Sequence, residues 1–493
     1  MYLLSALTLL ATIFSAIYLS STATTTTLPT LSTLITLLPS WIHTSPPLPT
    51  SVPGYWNTYG YLFNITVGTP PQTLTVLSDW AWMSLFARSG RCLNTHDPAL
   101  CVAPGQTFYN ETASTSYSPT ALPQLQWPTN LFCPQFTVDY ISDTICLTPS
   151  LCTPPSTTFQ ASHFPFSGDW IPIQPFTGIF GMAPVIPGLN QTFHPVFYQA
   201  WKAGRTASAQ IGWNACADLP SRTPCLDGDA KFVFGGSDTS LYDEEQMEWY
   251  PTVAPTWLGQ EMYAPIQPPI YNFWSARWTG GWIVTAEGGW SRDYAVRFPA
   301  GALVRGEEGR SMPFDYPGPD ITSEEGKGDG EGEGEWITPL AVLDDDSEGL
   351  GVPVTANSYD EMIRLTDAVQ ASPEIAAAIM AQGTSSPTGS HTGEWYLVEC
   401  ARAESLPSLV YELDHRVNYT VRPEAYVQEI VGEGVEGLCY LNLNVWKHSI
   451  TGNGDATLIS LGLGFLKGLY VVLDYERVAF GLAPLRGVDR GEV

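Results

Sequence analysis

The chain has 493 residues, of which 44% are hydrophobic and 12% aromatic, so it can bury a large core and is long enough for two or three lobes. Nucleic acid and anionic membranes would repel its formal charge of -28, which argues against both as partners. Such a charge suits an acidic or extracellular setting.

The first 53 residues are predicted to precede the folded body. An apolar run over 3–19, followed by small residues up to Ala23, predicts a secretory signal peptide at 1–23 and a secreted protein. No Lys or Arg occurs before Arg88, so an uncleaved signal anchor is the alternative, and only that alternative would bring the protein to a membrane. Residues 24–53 are rich in Thr, Ser and Pro, which predicts a stalk without a packed core.

The remaining chain alternates short β-branched and aromatic runs with clusters of Gly, Pro, Asn and Asp, a pattern typical of an all-β protein with many hairpins. One helix is predicted over 358–369, with Asn357 or Ser358 as its N-cap. Residues 306–335 hold ten acidic and two basic side chains among many glycines, which predicts a disordered acidic insertion. A docking tail for a basic partner is the alternative interpretation of that segment.

Residues 59–72 (YGYLFNITVGTPPQ) and 74–77 (LTVL), followed by Asp79, closely resemble the entrance to the first active-site loop of the pepsin-like aspartic peptidases. Further segments similar to that family follow in order at 108–117, 177–182, 231–238, 461–474 and 477–481, so the resemblance covers roughly residues 55 to 486. It implies an all-β, bilobal fold with one lobe over 54–252, a second over 253–486 and a cleft between them. It also implies that Asp79 and Asp344 are the catalytic pair.

Nine cysteines without a Cys-x-x-Cys pair, together with four glycosylation sequons, indicate an oxidising compartment. The sequons begin at Asn64, Asn110, Asn190 and Asn418. The family resemblance implies disulfides Cys92–Cys101 and Cys400–Cys439, while Cys216 and Cys225 have the spacing of a third, local pair. The remaining cysteines, Cys133, Cys146 and Cys152, form an odd set, which leaves one thiol free or paired with another chain.

Both active-site loops depart from the family's Asp-Thr-Gly-Ser. The first reads Asp79-Trp80-Ala81-Trp82 and the second Asp344-Asp345-Asp346-Ser347. In the family, two carboxyls about 3 Å apart share one proton, so that one activates water while the other donates to the carbonyl oxygen. Thr hydroxyls and the Gly N–H hold that geometry, and both Thr and both Gly positions are changed here.

The replaced residues set two conditions on a working pair of carboxyls. The indoles of Trp80 and Trp82 are too large for the family's hydroxyl positions, so the loop must open or point the rings elsewhere. Asp345 and Asp346 add charges beside Asp344, and these oppose close approach unless protons or a cation intervene. The flap tyrosine of the family also has no counterpart in 127–132, where Trp127 is the alternative cover for the cleft.

The altered loops favour a weakly active or inactive pseudo-peptidase that binds an extended peptide or a protein in the cleft. The alternative is an active acid endopeptidase that uses Asp79 and Asp344. An enzyme requires converging carboxyls with the indoles turned out of the cleft, whereas a binder requires splayed aspartates or a cleft floor filled by indoles.

No cofactor and no metal site are predicted. The segment from Asp344 to Gly349 begins like a calcium loop, but the closing acidic position is occupied by Thr355. A cation held by the acidic cluster is the minor alternative.

Overall fold

The computed structural model of the protein describes residues 48–57, 60–91, 107–127, 136–162, 176–217, 225–252, 272–285, 296–297, 340–345, 351–354, 356–382, 394–432, 434–445 and 458–488. Several predictions lie outside these residues and stay predictions, namely the signal segment, the stalk up to residue 47, the acidic insertion, the loop residues Asp346 and Ser347, and Cys92, Cys101 and Cys133. The described residues all fall within the unit Pro47–Val493.

Strands dominate the first half of the described chain, as the alternating pattern of short apolar runs predicts. These strands are β1 (Thr50–Asn57), β2 (Gly60–Val67), β3 (Gln72–Asp79), β4 (Leu85–Arg88), β5 (Ser118–Pro119), β6 (Leu125–Trp127), β7 (Phe136–Asp143), β8 (Ile145–Thr148), β9 (Leu151–Cys152), β10 (Thr157–Ser162), β11 (Gly178–Gly181), β12 (Gln210–Ala215), β13 (Ala230–Phe234) and β14 (Glu248–Pro251). A single α-helix among the described residues of this half, α1, spans Val196–Lys202.

The second half is also mainly strands, with four short helices among its described residues. The strands are β15 (Ser275–Val284), β16 (Val296–Arg297), β17 (Leu340–Leu343), β18 (Val352–Val354), β19 (Val369–Gln370), β20 (Tyr396–Glu399), β21 (Ser408–Leu413), β22 (Val417–Val421), β23 (Val427–Glu429), β24 (Leu438–Leu441), β25 (Leu443–Val445), β26 (Leu458–Leu461), β27 (Leu469–Asp474) and β28 (Ala479–Pro484). The helices are α2 (Ala356–Thr366), α3 (Pro373–Ala381), α4 (Pro423–Tyr426) and α5 (Leu463–Leu466).

The predicted helix after the second aspartate is present as α2, with shifted ends. It begins at Ala356, so Asn357 and Ser358 lie in its first turn, and the prediction that one of them is the N-cap is wrong. It ends at Thr366 because Asp367 adopts a left-handed backbone with φ of 50°.

The first sheet runs in the order β14-β28-β27-β12-β13-β1-β2-β3-β11-β4-β10-β7-β5, with β6 on β7, β8 on β2 and β9 on β8. The end of the chain therefore returns to the sheet of its first half, since β27 pairs with β12 and β28 with β14. At the other end, β1 begins at Thr50, inside the range assigned to the stalk, and pairs with β13. A boundary at residue 253 consequently does not separate the sheets.

The second half forms a sheet in the order β22-β21-β15-β17-β26, with β16 on β15, and two smaller sheets, β18-β25 and β19-β20-β24-β23. Each half contains one matching unit: β3 runs parallel to β11, and β17 runs parallel to β26. Asp79 ends β3 and Asp344 directly follows β17, so both aspartates leave equivalent strand pairs. This repeat agrees with the two-lobed fold that the sequence implies.

The core of the first half is aromatic. Along β2, Phe63, Ile65 and Val67 are buried while Asn64 is exposed, so the alternation of the strand selects one face for the interior. The Phe63 ring packs against Phe180 at a centroid distance of 5.3 Å, which joins β2 to the strand behind the first aspartate. Large rings therefore support the sheet that carries Asp79.

Three disulfides occur among the described residues. Cys216–Cys225 and Cys400–Cys439 confirm two of the predicted pairs. The third joins Cys146 to Cys152, two members of the predicted odd set, across the β8–β9 hairpin. The remaining member of that set, Cys133, lies outside the described residues.

All four sequon asparagines lie in exposed positions. In two sequons the threonine hydroxyl donates to the asparagine Oδ1, from Thr112 to Asn110 at 2.7 Å and from Thr192 to Asn190 at 2.8 Å. We expect enzymatic removal of N-glycans to lower the mass of the secreted protein, and Thr112→Ala and Thr192→Ala each to remove one glycan while keeping the asparagine. Mass spectrometry checks this, and a mass unchanged by the glycosidase contradicts it.

Candidate active site

Asp79 is fixed by the close passage of β11 behind its loop. In the parallel β3–β11 pair, Gly181 lies opposite Asp79, and the Asp79 carbonyl accepts from Met182 N at 2.8 Å. A Cβ on Gly181 would lie 2.2 Å from the Trp82 carbonyl oxygen and 2.4 Å from that of Ser84. Only glycine permits this approach, which explains the hydrophobic-hydrophobic-Gly segment at 179–181.

The Asp79 carboxyl is held by two backbone donors of its own loop. Its Oδ1 accepts from Ala81 N at 2.8 Å and from Trp82 N at 3.0 Å. The donors are main-chain N–H groups, so replacement of the family's glycine by Ala81 preserves this interaction.

Asp344 has a corresponding position in the second unit. Strand β17 pairs with β26 through Leu343 and Leu461, and the Ser460 hydroxyl of β26 donates to Asp344 Oδ2 at 2.8 Å. The segment at 460–462 thus supports the second loop as 179–181 supports the first, and in addition supplies a side-chain hydrogen bond to the carboxyl.

Burial and charge act on Asp79 together. Burial, together with the nearby charge of Asp344, raises the pKa of the Asp79 carboxyl from 3.8 to about 7, against the opposing effect of the Ala81 and Trp82 N–H groups. The two aspartates are therefore close enough to interact electrostatically, and the raised pKa favours the protonated Asp79 carboxyl in acid. This is the property that a proton-sharing pair of carboxyls requires.

The indoles of Trp80 and Trp82 are packed in the interior of the first half. Trp80 is 1% exposed and meets Trp213 edge to face at 5.3 Å, while Trp82 is fully buried and meets Phe86 at 5.8 Å. The Trp82 Nε1 donates to Gln160 Oε1 at 3.1 Å. Both rings point into the core, so the loop meets the condition that the sequence sets for a working pair of carboxyls.

Asp345 bridges the two loops. It is fully buried, its Oδ1 accepts from Trp80 N at 3.1 Å, and its Oδ2 accepts from the Ser78 hydroxyl. Burial raises the pKa of the Asp345 carboxyl well above 3.8, and the charges of Asp79 and Asp344 add to the rise. The raised pKa favours a protonated Asp345, which meets the condition that protons intervene between the acidic side chains, because a proton on this carboxyl removes its charge.

One further segment, which the sequence did not single out, connects both loops. Asn272 N donates to the Ala81 carbonyl at 2.9 Å, and Leu343 N donates to the Trp274 carbonyl at 2.9 Å. The Trp274 Nε1 also donates to Met182 O at 2.8 Å. Residues 272–274 thus touch the first loop, the residue that follows β11 and the strand before Asp344. Two adjacent aromatic residues between Asn272 and Ser275 were too weak a signal to identify them.

Other predicted parts of the site are only partly described. The backbone of Trp127 pairs with Phe136 in the β6–β7 hairpin, and the tip at 128–135 lies outside the described residues.

Within the part of the chain that the structure describes, no group of three or more His, Cys, Asp or Glu side chains has the arrangement of a metal site. No helix in that part is both long and apolar enough to cross a membrane.

Comparison with known proteins gives two results. The profile of the family described as "Eukaryotic aspartyl protease" matches residues 360–485. Relatives named "Secreted aspartic protease" align over most of both chains: LUC8 of Fusarium sp is 49% identical across 88% of this chain and 90% of its own length. FUS4 of Gibberella moniliformis is 42% identical across 88% and 91%, respectively. "Aspartic protease-like protein pynH" of Aspergillus niger is 26% identical across 87% of this chain and 90% of its own length.

Proposed function

Because the chain belongs to the eukaryotic aspartyl proteases, as a secreted and pepsin-like member, we propose that it is an acid endopeptidase that uses Asp79 and Asp344. One observation carries the proposal. Burial and the nearby charge of Asp344 raise the pKa of the Asp79 carboxyl to about 7, while both neighbouring indoles are packed in the core. A protonated carboxyl beside a second carboxyl is the arrangement that water-mediated amide hydrolysis needs.

In the proposed reaction, Asp79 carries the shared proton and Asp344 is the base. A water molecule between them gives a proton to Asp344 as its oxygen bonds to the scissile carbonyl carbon, and Asp79 gives its proton to the carbonyl oxygen. The resulting diol then loses its C–N bond. Asp344 returns its proton to the leaving nitrogen and Asp79 takes one from a diol hydroxyl, which restores the starting state.

The proposed substrate is an extended polypeptide lying in the cleft between the lobes. Extended segments bind through main-chain hydrogen bonds, and pockets for alternate side chains set the preference. A weak or inactive pseudo-peptidase that binds such a segment is the second candidate. It is supported by one observation, namely that neither loop retains the threonine hydroxyl of the family, since Trp80 and Asp345 occupy those positions.

The test is hydrolysis of a mixed quenched peptide library by the purified secreted protein from acid to neutral pH. We expect cleavage in acid that declines as the pH rises through about 7, because Asp79 must be protonated and its raised pKa lies there. A metal chelator and serine-directed reagents should leave the rate unchanged. A folded protein that binds library peptides without cleaving them contradicts the proposal and supports the pseudo-peptidase.

A further inference from the structure

The residues on both sides of Asp79 are bonded to one carboxyl of the opposite loop. Ser78 donates its hydroxyl to Asp345 Oδ2, and Trp80 donates its backbone N–H to Asp345 Oδ1 at 3.1 Å. Ser78 and Asp345 are both fully buried, so these bonds are shielded from water and from salt. Because Asp345 directly follows Asp344, a single side chain fixes the position of one aspartate relative to the other.

We propose that Asp345, as a neutral carboxylic acid, is a positioning residue that ties the two aspartate loops together. The expected effect of Asp345 on the rate of peptide hydrolysis rests on the proposed function. Its expected effect on the stability of the fold does not. The tie occupies the position where the family places a threonine hydroxyl, but a carboxyl can ionise and a hydroxyl does not. The tie in this protein is therefore sensitive to pH.

The charges around Asp345 determine the direction of that sensitivity. Among the described residues, the ionisable side chains that act on it are Asp79, at the end of β3, and Asp344, in its own loop. Both are acidic, and ionised Asp345 would add a further buried negative charge beside them. Acid therefore preserves the tie, and rising pH weakens it.

Linkage between ionisation and folding gives the expected pH dependence of stability. Burial raises the pKa of Asp345 in the folded protein above the value of 3.8 that it has in the unfolded chain. The contribution of Asp345 to the free energy of unfolding is therefore fully present below pH 3.8 and is lost as the pH rises through the folded pKa. Asp79, with a folded pKa of about 7, acts in the same direction. The wild-type unfolding temperature should therefore fall as the pH rises from about 4 toward neutrality.

The experiment compares wild type with Asp345→Asn, Asp345→Ala and the exposed control Glu245→Gln. Asparagine keeps an acceptor for Trp80 N and a polar group for Ser78 but does not ionise, so we expect a smaller fall of the unfolding temperature with pH. Alanine removes the tie, and misplacement of the pair should lower kcat in acid about 10²-fold, whereas asparagine should keep kcat within about threefold. Glu245→Gln should match wild type in every measurement.

Two results would overturn the proposal. One is an Asp345→Asn protein whose unfolding temperature depends on pH as the wild type does. The other is an Asp345→Ala protein with an unchanged kcat. The thermal measurement needs no catalysis, so it decides the role of Asp345 even if the wild type cleaves nothing, an outcome that would count against the proposed function alone.

Discussion

Asp79→Asn is expected to lower kcat for peptide hydrolysis by about 10³-fold, within the range that a positioned acid or base supplies, while the protein stays folded. Asparagine retains an Oδ1 that can accept from Ala81 N and Trp82 N, the two donors that hold the carboxyl. It cannot donate a carboxyl proton to the substrate, so the loss should fall on kcat and exceed any change in KM.

The corresponding change in the second loop, Asp344→Asn, should lower kcat by a similar factor, because the two carboxyls act as a unit and the loss of either one stops the reaction. The exposed aspartate Asp360 provides the matched control, and Asp360→Asn should match wild type. Steady-state kinetics at acid pH, with thermal unfolding of each protein as a check on folding, make the comparison. Cleavage that persists in a folded Asp79→Asn protein would assign the activity to other residues.

Trp80→Ala is expected to destabilise the protein by about 3–5 kcal/mol, the range for removal of a buried large aromatic side chain. Trp80 is 1% exposed and packs edge to face on Trp213 at 5.3 Å, so alanine would leave a cavity beneath the loop that carries Asp79. Trp80→Phe should destabilise it less, since a smaller ring still fills part of the space.

Chemical denaturation measures the free energy of unfolding of these variants, with Val431→Ala as the exposed control. Val431 is 76% exposed, so its replacement should change the free energy of unfolding by less than about 0.5 kcal/mol. If Trp80→Ala were as stable as wild type and bound peptides differently, the indole would lie in the cleft, as the pseudo-peptidase interpretation requires. That result would remove the main structural support for the enzyme.

The sequence predicted the architecture because its signals are local and repeated. Alternating apolar runs predicted strands, and the family-like segment at 177–182 forms the strand behind Asp79, where a Cβ on Gly181 would meet two carbonyl oxygens. The two aspartates were identified through the family resemblance, and the structure places them at the ends of matching strand pairs. The pairing of Cys146 with Cys152 was left open, since spacing alone could not choose between members of the odd set.

The state of the site could not be predicted because it depends on partners far apart in the chain. Asp345 reads as an added charge in the sequence, but its bonds to Ser78 and Trp80 cross 267 and 265 positions and its burial favours the neutral form. The direction of the Trp80 ring likewise depends on Trp213, a core residue of another strand. Local sequence patterns predict where strands lie. The protonation of Asp345 and the direction of the Trp80 ring depend instead on tertiary packing.

Catalysis by this protein requires Asp79 and Asp344 to form a working, proton-sharing pair. The most direct test is the affinity at acid pH for two matched peptides, one with a normal amide and one with a tetrahedral hydroxyl-bearing isostere at the same bond. A catalytic pair should bind the isostere at least about 10²-fold more tightly, and this preference should disappear in Asp79→Asn. Equal affinity for both peptides would contradict the account and leave a groove that only binds.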